Sequence, residues 1–125
     1  METNISFQLS SSVNDGIVEI VFTGEITKNT LDRLRAEVIT ILREDNTPSV
    51  LCDVRALKGP NEIADAFKRV RSIPSDVASR PCAIVTTTEN REFQLFYETT
   101  ATNIGQSIRF FADIEAARAW LKSQL

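Results

Sequence analysis

The sequence predicts an α/β protein: a mixed sheet of about five strands that opens with an antiparallel hairpin and continues as alternating helices and parallel strands. Three observations predict it. Two runs with a two-residue period flank Asp15-Gly16, a strong hairpin signal. Two later runs, Ser49–Val54 and Cys82–Thr87, are apolar on both faces, as in strands covered by helices on either side. Between and after them the period changes to that of amphipathic helices.

The elements follow in order. Ile5–Leu9 alternates apolar and polar residues and reads as a half-buried strand; the serines after it read as part of the turn. Ile17–Phe22 is its antiparallel partner, with Val18, Ile20 and Phe22 on one face and Ile17, Glu19 and Val21 on the other. From Thr30, the positions Leu31, Leu34, Val38, Ile41 and Leu42 share a helical face opposite Arg33, Arg35, Glu37 and Arg43, and Asn46 and Pro48 end the helix. Val50–Val54 and Ala83–Thr86 are expected as interior parallel strands. A second helix carries Ile63, Phe67 and Val70 and stops at Pro74. Thr88 and Glu89 open a third helix with the stripe Phe93, Phe96, Tyr97, Ala101 and Ile104, stopped by Gly105. Ser107–Phe111 is the last strand, and Asp113 caps a final helix through Ile114, Ala117, Trp120 and Leu121.

With 125 residues and no linker or repeat, residues 1–125 read as a single domain. A net charge of −3 with both signs interspersed argues against nucleic acid as a partner. No signal peptide and no apolar run near the ~20 residues that span a bilayer are recognisable, so a reduced, cytoplasmic setting is expected. The two cysteines, Cys52 and Cys82, lack the spacing of a zinc site; no metal and no cofactor are expected. The chain contains no histidine, which removes the commonest general base and every Ser-His or Cys-His nucleophile pair. A non-enzymatic protein is therefore expected.

Right-handed crossovers between parallel strands bring Thr23–Glu25, Asp53–Arg55, Thr86–Thr88 and Phe111–Asp113 to one edge, where open α/β sheets bind their ligands. The candidate partner edge is Asp53, Arg55, Lys58, Gly59, Thr87 and Thr88, with Arg55 to Gly59 in a turn after Asp53. Asp53 reads as an acceptor for turn amides rather than a general base paired with Glu25 or Glu89. Arg55, Lys58 and Gly59 lack the spacing of a phosphate-binding loop. Cys52 and Cys82 read as buried small hydrophobes rather than redox partners. Ile63, Phe67, Val70, Phe93, Phe96 and Tyr97 are candidates for an apolar pocket, with core packing as the simpler role.

The run from "GIVEIVFTGEIT" through "VLCDVRALKG" and "CAIVTT" to "RFFADIEAARAWL" resembles the SpoIIAA-like family, small bacterial domains of the STAS and Sec14 (CRAL-TRIO) type of fold. The resemblance implies a mixed sheet backed by helices, no cofactor, and a task in binding protein or apolar ligands. Among anti-sigma-factor antagonists of this type, a strand ending in Asp is followed by a phosphorylatable Ser at the next helix start. Asp53 matches that Asp, but no Ser or Thr occurs from Val54 to Arg71. Two functions fit. One is a non-catalytic regulatory or protein-interaction module without the phosphoryl switch. The alternative is a carrier or sensor of an apolar ligand or membrane lipid, with the helix Ile63 to Ile73 as a movable lid whose Lys68, Arg69 and Arg71 meet an anionic membrane peripherally. Oligomeric state stays open, and a homodimer is compatible with either.

Overall fold

A computed structural model describes residues 7–27, 29–58, 79–87, 91–103 and 105–124. In chain order these form β1 (Phe7–Asn14), β2 (Ile17–Glu25), α1 (Leu31–Glu44), β3 (Ser49–Lys58), β4 (Cys82–Val85), α2 (Arg91–Asn103), β5 (Ile108–Phe111) and α3 (Ile114–Ser123). The sheet has five strands in the order β1-β2-β3-β4-β5; β1 and β2 are antiparallel and every later pair is parallel. β3 and β4 are interior and parallel, as expected. The helix around Ile63 to Ile73, the Gly59-Pro60 turn, and Thr88 with Glu89 lie outside the described residues.

The hairpin closes in two residues, since Asn14 pairs with Ile17 across the turn. Asp15 and Gly16 have φ of 54° and 77°, the left-handed pair of a type I′ turn, whose twist matches that of the strands it joins. The first strand is longer at its C-terminal end than its alternation suggests. Ser10 to Asn14, read as part of the turn, continue the ladder without a register shift. Serine has weak strand preference, but pairing with the core strand β2 satisfies its backbone and outweighs that local tendency.

A second difference from the sequence reading lies in β3. Val21 pairs with Asp53 and the next pair is Thr23 with Ala56, so Phe22 alone faces both Val54 and Arg55. This β-bulge adds one residue to β3 and inverts its faces. Val50, Cys52 and Val54 enter the α1-side core before it, and Leu57 enters the same core after it. The alternation is broken at Asp53-Val54-Arg55, so the strand reads as ending there, yet it runs on to Lys58. Arg55 and Lys58 are therefore strand residues and not part of a turn.

Two cores sandwich the sheet. On one side Leu34, Val38 and Leu42 of α1 pack on Val18, Ile20, Phe22, Val50 and Cys52. On the other, Ala117 and Leu121 of α3 pack on Ile17, Leu51, Ala83 and Val85. α3 lies mainly over β3, β4 and β5 and reaches β2 at Ile17 and Glu19, while Val21 further along β2 is 38% exposed. Asp113 caps α3 as expected, accepting from Ala116 N–H at 3.1 Å. Cys52 is buried in the α1-side core and Cys82 packs against it half-buried, both as free thiols. Contact with Cys82 and burial both push the Cys52 thiol up, away from the reactive thiolate.

Tyr97 and Ala101 turn the inner side of α2 toward the sheet, with Tyr97 edge-on to Phe110 at 5.5 Å. Phe96, placed by sequence on that inner stripe, is instead 68% exposed beside Leu95 at 67%. Successive helical residues are turned by about 100°, so the bearing fixed by Tyr97 and Ala101 carries Phe96 outward. Gly105 (φ 82°) ends the helix as expected, with Gly105 N–H donating to Thr102 C=O and Gln106 N–H to Ala101 C=O. No helix among the described residues is long and apolar enough to cross a membrane.

A long-range cap closes α1. Arg80, just before β4, donates to the carbonyls of Leu42 at 2.7 Å and Asp45 at 3.0 Å. It satisfies carbonyls that the helix end leaves without partners, at the negative pole of its dipole. Arg80→Ala is expected to lower stability by about 1–2 kcal/mol, read as a drop in the urea midpoint with unchanged slope. An unchanged midpoint would show that water replaces the guanidinium at no loss.

Candidate partner edge and its charge cluster

Asp53 stands at the bulge with its side chain on the α3 side of the sheet, and the residue is 8% exposed. Arg55, two residues on, folds back over it. The Asp53 carboxylate accepts from Arg55 N–H at 3.1 Å, from Nε at 2.9 Å and from a terminal guanidinium nitrogen at 2.8 Å. The bulge makes this possible by interrupting the ladder, which frees the Arg55 amide to turn toward the side chain. The Arg55 hydrogen bonds hold the Asp53 carboxyl below its ordinary range despite burial. The same pairing raises Arg55, to which Asp113 at the α3 N-terminus adds. Arg55 keeps 40% of its side chain exposed.

A second ion pair lies alongside. Glu19 of β2 is 8% exposed and accepts a bidentate pair from Arg118 of α3, at 2.7 and 2.8 Å. Arg118 also donates to Glu115 at 2.6 Å. Glu19 raises the Arg118 pKa still further, and Arg118 in turn helps to keep Asp53 ionised. Toward the hairpin a groove of about 380 Å³ is lined by Asn14, Asp15, Glu19, Arg118 and Lys122. Its charges are already matched, with Lys122 at 3.4 Å from Asp15.

This cluster suits holding better than chemistry. Both Asp53 oxygens are engaged and its carboxyl is a weak base at neutral pH, so it is poorly placed to take a proton. No group of three or more His, Cys, Asp or Glu side chains that could hold a metal occurs among the described residues.

Of the residues singled out by sequence, the structure brings Asp53 and Arg55 together. Lys58 is exposed at the end of β3, its carbonyl accepting from Ile26 N–H at 2.9 Å, and Thr87 is exposed beyond the end of β4. Gly59 and Thr88 lie outside the described residues, as do Ile63, Phe67, Val70 and the side chain of Phe93. The expected acceptance from turn amides becomes acceptance from Arg55 within the strand. Sequence reasoning missed Glu19 and Arg118. The available signal was a lone carboxylate at position 19, flanked by Val18 and Ile20 in an otherwise apolar strand.

The model of the SpoIIAA-like family matches residues 17–122, and the chain belongs to that family. Among solved structures, an anti-sigma factor antagonist from Mycobacterium paratuberculosis is similar over 98% of this chain and 99% of its own, at TM-score 0.65 and 12% identity. A protein with a SpoIIAA-like fold from Shewanella loihica is similar over 97% and 98%, at TM-score 0.59 and 16% identity. The anti-sigma factor antagonist SpoIIAA in its unphosphorylated form is similar over 93% and 97%, at TM-score 0.50 and 14% identity. At these identities the likeness is one of fold. No curated protein matches the chain.

Two outcomes test the cluster. Arg118→Ala leaves Glu19 buried and unpaired and is expected to destabilise by about 2–4 kcal/mol, against under ~0.5 kcal/mol for Glu115→Ala, whose carboxylate faces water. Equal losses in chemical denaturation would contradict the asymmetry. The depressed Asp53 contributes stability that is complete above the ordinary value of 3.8 and disappears as pH falls through its lower folded value. The stability difference between wild type and Asp53→Asn should therefore be constant above about pH 5 and narrow below 3.8. A gap that persists undiminished at the acid end would show that the ionised carboxylate is not its source.

Proposed function

We propose that the chain is a non-catalytic, cytoplasmic regulatory module that engages a protein partner through the carboxyl edge of its sheet, with Asp53, Arg55, Lys58, Gly59, Thr87 and Thr88 as the contact surface. The observation that carries this reading is the bulge at Val54-Arg55. It presents a partly exposed arginine, held by two side-chain hydrogen bonds, at the edge where this architecture binds its ligands. A guanidinium already held in one conformation loses little freedom when a partner docks on it. Membership of the SpoIIAA-like family and the shared fold of anti-sigma factor antagonists support a regulatory task.

Regulation in this chain works without a phosphoryl group in the segment after Asp53. From Val54 to Arg71 the sequence offers no hydroxyl-bearing Ser or Thr to receive one. A second reading, contact with an apolar ligand or lipid, is favoured by the adjacent exposure of Leu95 and Phe96.

Affinity purification from the native host, with wild type and Arg55→Glu compared quantitatively, tests the main reading. At least one protein is expected to co-purify with wild type and to fall by about tenfold or more with the charge reversal. Equal recovery with a folded Arg55→Glu variant would overturn the edge as the contact surface. Recovery of lipid in place of protein, lost on Phe96→Ser, would favour the second reading. Phosphate found by peptide mass spectrometry between Val54 and Arg71 would remove the claim of a switch-free module.

A further inference from the structure

The two edges of the sheet are built differently. β5 spans four residues, and its outward Phe110 N–H is occupied by the Glu98 carboxylate of α2 at 2.8 Å. An inward-turned carboxylate of this kind blunts an edge against further strands. β1 spans eight residues, carries no charge, proline or bulge, and pairs in unbroken register with β2. Alternate residues along its outer side direct N–H and C=O away from the sheet. From Gln8 to Asn14 it is exposed throughout, apart from a half-buried Leu9.

The chemistry of this strand is symmetric about Ser11. Reading outward from that residue, Ser10 matches Ser12, Leu9 matches Val13, and Gln8 matches Asn14. Identical strands paired antiparallel are related by a two-fold axis, and each side chain then meets the residue equally far beyond the axis. With the axis at Ser11, Leu9 of one chain lies opposite Val13 of the other on the α1 side, where Val13 is 49% exposed. On the opposite face, Gln8 meets Asn14 and Ser10 meets Ser12. Apolar faces apolar, amide faces amide, hydroxyl faces hydroxyl, and no like charges are opposed.

We propose that β1 is a self-association edge: two copies pair antiparallel through Gln8–Asn14 about an axis at Ser11 and form one continuous ten-stranded sheet. This surface is separate from the partner edge at Asp53 and Arg55, so the dimer stands or falls independently of the proposed regulatory contact. The occupant is a second copy because the symmetry of the strand matches its own reverse.

Light scattering after size exclusion, from about 10 µM to 1 mM, should show the mass rising from the 14.0 kDa of one chain toward twice that value. Ser11→Lys places two ammonium groups across the axis and should weaken association at least about tenfold. Ser11→Thr, β-branched and uncharged, should preserve it. Hydrogen exchange on the wild type provides a readout that needs no variant: amides within 8–14 should slow with increasing concentration, and those within 108–111 should not. A wild type that stays monomeric at 1 mM, a folded Ser11→Lys that dimerises as tightly as wild type, or concentration-dependent protection on β5 instead would overturn the proposal.

Discussion

Strand β3 carries one residue more than its neighbour β2, and the architecture around the carboxyl edge depends on that mismatch. A strand covered on both faces has no solvent side to which an error can be sent. The extra residue inverts the faces, so Leu57 reaches the α1-side core from an odd position after Val50, Cys52 and Val54 reached it from even ones. Asp53 stabilises the kink by accepting from the Arg55 amide that the ladder releases. Structure and candidate site are therefore one feature: the hydrogen bonds that accommodate the bulge also orient the arginine.

The α3 side of the sheet shows the same economy in its charges. Glu19 and Asp53 are both nearly buried, on adjacent strands, and each is matched by an arginine with two side-chain donors. A carboxylate removed from water needs such a partner, and a planar guanidinium supplies it with fixed geometry. Arg118 reaches Glu19 from α3, so the last helix is attached to the sheet by Leu121 and Ala117 on its apolar side and by an ion pair at its margin.

What could be read from the sequence was what is encoded locally. Asp15-Gly16 specifies its turn within two residues, Asp113 caps a helix whose first turn follows directly, and Leu34, Val38 and Leu42 reveal α1 by spacing alone. The bulge was hidden because it is a relation between two strands and its only trace is a broken alternation at Asp53. The serines of β1 were hidden because their strand state is imposed by β2. Glu19 and Arg118 are 99 residues apart, and no local rule joins them. The inward stripe of α2 could be read to within one residue, which was enough to misplace Phe96.

Arg80 grips the end of α1 from 35 and 38 residues further along the chain. The last turn of an early helix is thus completed by a residue that arrives with the second interior strand. Until β4 docks, α1 lacks this closure at its C-terminal end, and the hairpin with α1 is an unfinished unit. Because the two halves share this contact, neither reaches its full stability alone. A fragment ending before Arg80 would keep the hairpin and the apolar face of α1 but lose the residue that closes the helix.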